Sequence, residues 1–380
     1  MRQLMHSFTG TKAPTDILAG VESGRISSFC LFAGMNVENP AQLRELCDAL
    51  RQAAAKGGNP PPLLGIDQEG GQLIAITGGA TELPGNMALG ATHSVELAEK
   101  AGRVLARELL AMGVNMNFAP SVDVNINPAN PVIGLRSFSD DPTLVSELGI
   151  GMIHGMQAAG LIATAKHFPG HGDTGADTHH GDAIIPYDIE RINRVELAPF
   201  REAVTAGVDA IMSAHIRVTV LDPDLPATMS RKILTDLLRH EMGYTGLVIT
   251  DAMDMWAVAR HGKEESIQAA LDAGADLVLL GHIKGQMELM TRFTENAASV
   301  ARINAARQRL ATALPSFDLV GCAEHQAIAR EIAEASITRV KGDVRLNPAD
   351  EGHILVITPY PENLTPADTS ATVKIRLAEA

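Results

Sequence analysis

The sequence predicts a parallel α/β fold, and within that class a (β/α)8 barrel followed by a short C-terminal extension. Three observations carry this reading. Short apolar runs alternate with helical patterns along most of the chain. Those runs show little period-two alternation, as expected of strands covered on both faces. Polar residues close nearly every run, and a barrel collects its functional groups from many strand ends, whereas a doubly wound sheet gathers them at one switch point.

Taken in order, "ISSFCLFA" (26–33) reads as the first buried strand. A helix follows in which Asn39 caps, Pro40 suits the first turn, and Leu43, Leu46, Cys47 and Leu50 share one face. "PLLGIDQE" (62–69) is the next strand, followed by a helix over "SVELAEKAGRVLARELLAMG" that ends on Gly113. Five further strands are expected at 114–120, 161–168, 208–215, 246–252 and 275–282. Three of them follow a helix-ending glycine (Gly160, Gly207 and Gly274), the residue that most readily takes the left-handed stop. The strand-end polar residues are Asp67 and Glu69, Asn117 and Asp123, Lys166 and His167, His215, Asp251, and His282. The barrel pattern fades near 316, and one more helix follows. The division expected is a catalytic barrel over 1–335 and an extension over 336–380 that holds one lone strand, "ILVITPY" (354–360).

Composition narrows the function classes. With 46% apolar residues the chain can bury a large core, but aromatics are only 3%, so that core is built from aliphatic side chains. Forty-five acidic residues against 31 basic ones leave a formal charge of −14, which excludes a phosphate-neutralising surface; no nucleic-acid or membrane partner is expected. The three cysteines are far apart and form no CxxC pair, as in a reducing compartment. The N-terminal "MRQLMHSFTGTKAPTDILAG" shows no long apolar h-region, and no apolar run approaches the roughly 20 residues of a membrane span. A soluble, cytoplasmic protein is the expectation. No GxGxxG or Walker pattern opens a helix after a strand, which argues against a nucleotide cofactor.

The stretch "AKHFPGHGDTGADTHHGD" (165–182) concentrates four histidines and three aspartates, and glycine and proline keep it from being one regular element. Three readings stay open on the residues alone. A metal site would draw on His167, His171, Asp173, Asp177, His179 and His180, yet a glycine-rich loop is a poor cage and no HExxH or His-x-His pair sits on a regular element. A polar loop bonded to itself is the second reading. Acid/base catalysis is the third: Asp177 and His179 are two apart, so an extended segment points both the same way. A carboxylate against an imidazole fixes its tautomer and makes it a usable proton donor near neutrality.

"KHFPGHGDTGADTH" resembles the signature of bacterial β-N-acetylglucosaminidases of glycoside hydrolase family 3. "LLGIDQEGGQL", "NFAPSVDVNINPANPVIGLRSFSDDP" and "PATMSRKILTDLLRHEMGYTGLVITDAMDM" resemble further segments of that family, in its order, over roughly residues 1 to 335. The resemblance implies a covalent double displacement with no cofactor and no metal. Asp251 matches the nucleophile, His179 the general acid/base and Asp177 its dyad partner. Thr178 stands where the family usually has Ser. Asp67, Arg136, Lys166 and His167 match residues that bind the sugar, and His215, at the same rim, is expected to join them. Glu69 is set aside as a partner for internal ion pairs, and Asp254 as a cap of the following helix. The reaction implied is hydrolytic removal of terminal β-linked N-acetylglucosamine from small cell-wall or chitin fragments. The alternatives are another β-sugar specificity or phosphorolysis within the family, and a metal-dependent barrel hydrolase.

Overall fold

A computed structural model describes residues 1–175, 183–311 and 313–341. Its first strand, β1 (Leu4–Met5), is one the hydropathy pattern passes over, because two apolar residues are too few to read as a run. Then come β2 (Ser28–Leu31), β3 (Leu63–Ile66), β4 (Met116–Asn117), β5 (Ile162–Phe168), β6 (Ala210–Ser213), β7 (Leu247–Thr250) and β8 (Val278–Leu279). Each of these seven falls inside a stretch expected from the sequence.

The strands β2 to β7 form one six-stranded sheet in the order β7-β6-β5-β4-β3-β2, all parallel. The pair β1–β8 is parallel too. Single parallel bridges, His6 to Phe29 and Ile249 to Leu277, tie that pair to β2 and β7, the two edges of the larger sheet. The result is an α/β fold on a curled parallel sheet.

Curling explains why these strands lack alternation. Successive side chains on a strand point to opposite faces, and here both faces are buried. Every one of the eight strands sends a residue to a single inner cluster, from Met5 and Cys30 round to Ile249 and Leu279. Their neighbours Leu4, Phe29 and Val248 pack outward with the helices. The inner cluster has one large ring, Phe118, and it lies against Gly65, where a Cβ would collide with it. Aromatic scarcity is thus met by placing one ring where a glycine opens the space.

Helices behave as their ends predict. Asn39 Oδ1 accepts from Gln42 N at 2.9 Å and starts the helix Pro40–Lys56, whose Leu43, Leu46, Cys47 and Leu50 are buried. Each such leucine contributes about 1.5–3 kcal/mol on leaving water. Ser94 and Asp141 cap Val95–Ala111 and Pro142–Ala158 in the same way. Gly160, Gly207 and Gly274 all have positive φ, and each precedes the next strand. The helix Ala323–Ala335 docks on Val95–Ala111 through His325 Nδ1 and Glu108 Oε1, 2.7 Å apart. Among the described residues no helix is long and apolar enough to cross a membrane. The C-terminal extension expected from residue 336 lies outside the described residues from 342 onward.

Candidate active site

One cavity of about 460 Å³ opens at the C-terminal ends of the strands, and Asp67, Arg136, Lys166, His167 and Asp251 all line it. The dyad expected at Asp177 and His179 lies outside the described residues. Five of the eight expected site residues therefore come together, and a sixth, His215, is found behind them.

The polar wall is a single buried network. Lys166 lies two residues before the end of β5 with its side chain 2% exposed, and its Nζ lies 2.6 Å from Asp67 Oδ1 and 2.7 Å from Glu69 Oε1. Arg136 forks onto the same Glu69, Nε to Oε2 at 3.0 Å and Nη2 to Oε1 at 2.8 Å. Burial alone would raise the Glu69 pKa, but Arg136 and Lys166 outweigh it and hold the carboxyl at about 2. Burial likewise works against the charge on Arg136 and Lys166, and the surrounding carboxylates reverse that effect and raise both. Glu69 is thus the ion-pair partner the sequence reading took it for. Asp67 differs: its side chain is one-third exposed, at 33%, it bonds Lys166 through Oδ1, and it lines the cavity. A carboxylate so held can accept from a sugar hydroxyl.

His167 joins this network to a second anchor. Its Nδ1 lies 2.7 Å from Asp123 Oδ2, and its Nε2 lies 3.2 Å from Arg136 Nη2. Because a guanidinium only donates, Nε2 must accept from it, which assigns the proton to Nδ1 facing Asp123. Asp123 also accepts from the backbone N–H of His167 at 3.1 Å and of His171 at 2.6 Å, and from Ser121 Oγ at 2.9 Å. Those bonds and the two imidazoles overcome burial and hold its carboxyl well below the usual range. Asp123 was visible in the sequence only as one more strand-end polar residue; nothing local shows that it anchors two histidines 44 and 48 positions away.

His171 lines the cavity too, yet it serves the loop. Its Nδ1 lies 2.7 Å from Thr174 Oγ1, and burial pushes its pKa down to about 4. Gly170, at φ 126°, lies against the Glu196 side chain, an approach and a conformation that a Cβ would not tolerate. Arg191 then ties the loop down, with Nη2 on Asp173 and Nη1 on Glu196, both at 2.8 Å.

His215 is not among the cavity-lining residues. It is buried, with Nδ1 2.8 Å from Thr228 Oγ1 and Nε2 2.9 Å from the Ala252 carbonyl. It supports the turn that follows β7 through the Ala252 carbonyl. Asp251 opens that turn. Its backbone N–H donates to Ser213 O at 3.0 Å, and its Oδ1 accepts from Ala252 N at 2.7 Å. The carboxylate is thereby aimed from a strand end into the cavity. Asp254 is not a helix cap: its Oδ2 accepts from His282 N at 3.0 Å and faces His282 Nδ1 at 2.9 Å. Formally the polar wall sets two cations, Lys166 and Arg136, against three carboxylates, Asp67, Glu69 and Asp123. That excess of one carboxylate becomes two with Asp251, and an anionic site favours a reaction centre that becomes positive. Among the described residues there is no group of three or more His, Cys, Asp or Glu able to hold a metal ion.

The chain is similar to known proteins over most of its length. The family described as glycosyl hydrolase family 3 N terminal domain matches residues 3–313. A beta-hexosaminidase A of Pseudoalteromonas piscicida is 36% identical over 91% of this chain, and the chain spans 64% of that relative's length. Among solved structures, a glycoside hydrolase family 3 beta-N-acetylglucosaminidase from Paenibacillus sp. is 40% identical, with a TM-score of 0.84 over 91% of this chain and 70% of its own. NagZ from Neisseria gonorrhoeae is 27% identical, with a TM-score of 0.77 over 89% of this chain and 98% of its own.

Proposed function

The chain belongs to glycosyl hydrolase family 3, and from that premise we propose that it is a retaining exo-hydrolase that removes terminal β-linked N-acetylglucosamine. The observation that carries this reading is the cavity that Asp251 lines together with Asp67, Arg136, Lys166 and His167. The β-hexosaminidase and β-N-acetylglucosaminidase activities named for the relatives support the choice of sugar. In the same reading the bridges at His6 and Ile249 close the eight strands into a (β/α)8 barrel. Residues 336–380 form an extension to it.

The mechanism follows from what each group can do. A terminal sugar seats its hydroxyls on Asp67, Arg136, Lys166 and His167. Asp251 attacks the anomeric carbon, forming a carbon–oxygen bond as the bond to the leaving oxygen breaks. His179, with Asp177 orienting its imidazole, gives that oxygen a proton. The same imidazole then takes a proton from water, whose oxygen attacks the anomeric carbon and releases Asp251. Most retaining glycosidases use two carboxyl groups about 5–5.5 Å apart for these tasks. A neutral imidazole as base avoids the repulsion a second carboxylate would feel from an anionic nucleophile.

The experiment is release of p-nitrophenol from its β-N-acetylglucosaminide, β-glucoside and β-xyloside, each with and without a chelator. Fast release from the first alone is the expected result. Release only without chelator would move the assignment to a metal-dependent hydrolase, and silence on all three would remove it.

A further inference from the structure

The function proposed above accounts for one part of the cavity lining and leaves another unused. Around the rim, from the turn after β7 past β8 to the segment after β2, stand Phe32, Ala33, Gly34, Asp254, Met255 and His282. None of them belongs to the ion-paired network. Phe32 directly follows β2, and His282 lies three residues beyond β8, so both sit outward of the buried Leu31 and Leu279. Their rings are neighbours, with centroids 4.6 Å apart and planes tilted by 37°. The His282 side chain is 55% exposed, which puts it at the open end.

The imidazole is held in one orientation. Asp254 Oδ2 receives the His282 backbone N–H and faces Nδ1, so the ring carries its proton on Nδ1 and presents Nε2 as an acceptor. Two adjacent ring faces with one fixed acceptor suit a pyranose, which has a C–H face to pack on an aromatic surface and hydroxyls to donate. Position points the same way. Asp254 is three residues after Asp251, in the turn that follows β7, so this wall adjoins the nucleophile. An exo-acting enzyme that buries the terminal sugar against the charged network must let the leaving sugar extend toward the mouth.

Resting on the function proposed above, we propose that Phe32 and His282, with Asp254 orienting the imidazole, form the subsite for the leaving group and select a second pyranose ring there. Phe32 supplies the packing face, His282 Nε2 accepts a hydroxyl, and Asp254 is a positioning residue. The test compares two substrates with the same terminal sugar: the β-1,4 disaccharide of N-acetylglucosamine, and methyl β-N-acetylglucosaminide, whose leaving group is one carbon. Free N-acetylglucosamine is measured for both.

The reading is the ratio of kcat/KM for the disaccharide to that for the methyl glycoside. Phe32→Leu and His282→Ala should each lower this ratio about tenfold, and Phe32→Tyr should keep it. Asp254→Asn should lower it less than His282→Ala. His282 is half-exposed and Phe32→Leu keeps bulk, so both variants retain the fold. A ratio unchanged in Phe32→Leu and His282→Ala, with the wild type active on both substrates, would overturn the subsite. No release from either substrate by the wild type would overturn the proposed function, and the subsite with it.

Discussion

Replacing Asp251 with alanine is expected to lower turnover of β-N-acetylglucosaminides by at least about 10⁴-fold and to leave the fold in place. A covalent nucleophile supplies the bond that divides one difficult displacement into two easier ones, so no remaining group takes over its task. Structure gives the second half of the expectation. The strand-end backbone bond from Asp251 N–H to Ser213 O does not involve the side chain and is kept, while the bond from Ala252 N–H to Oδ1 is given up. Turnover, with circular dichroism and thermal melting of the same sample, checks both halves. Turnover within tenfold of the wild type would remove Asp251 from the chemistry.

The second large effect is expected at Glu69. This carboxylate is 1% exposed and serves both buried cations, Lys166 at 2.7 Å and Arg136 at 2.8 Å. Breaking a buried pair by removing one partner leaves an uncompensated charge and costs about 3–5 kcal/mol. Glu69→Gln should lose stability on that scale in urea unfolding at pH 7, and lose substrate affinity as Arg136 and Lys166 drift. The pH dependence has a definite sign. Folding lowers the Glu69 pKa from an ordinary 4.5 to about 2, so its stabilising contribution is complete above pH 4.5 and disappears as pH falls toward 2. The gap between wild type and Glu69→Gln should therefore narrow across that window. A gap that is absent at pH 7, or constant with pH, would show that the ion pairs do not hold this wall.

How much of this was legible in the sequence depends on the range of the interactions involved. Strands β2 to β8 could be read because burial on both faces writes itself into the chain as continuous apolar runs. Helix ends such as Asn39 and Gly274 were legible because a cap bonds within three residues and a left-handed stop within one. The strand β1 was not, since Leu4–Met5 is identified by its partner Val278–Leu279, more than 270 residues away. The site divides the same way. Asp67, Arg136, Lys166 and His167 were found by motif and do share a cavity. Asp123, Asp254 and His282 take their meaning from partners on other strands, which no local spacing reveals. His215 shows the same limit: its strand-end position is legible, but its bonds to Thr228 and to the Ala252 carbonyl join it to residues 13 and 37 positions away. Asp177 and His179 remain assigned by their spacing and by the resemblance of their segment.

The central claim is that Asp251 carries the sugar between the two half-reactions, and one measurement reaches it most directly. The wild-type protein is incubated with a fluorinated N-acetylglucosaminyl fluoride, in which a ring fluorine slows both steps and the fluoride leaving group speeds the first. Intact mass and peptide sequencing then locate any adduct. The account predicts one sugar per chain, attached to the peptide that contains Asp251 at that residue. An adduct on another side chain, or rapid consumption of the reagent with no adduct at any time, would contradict it.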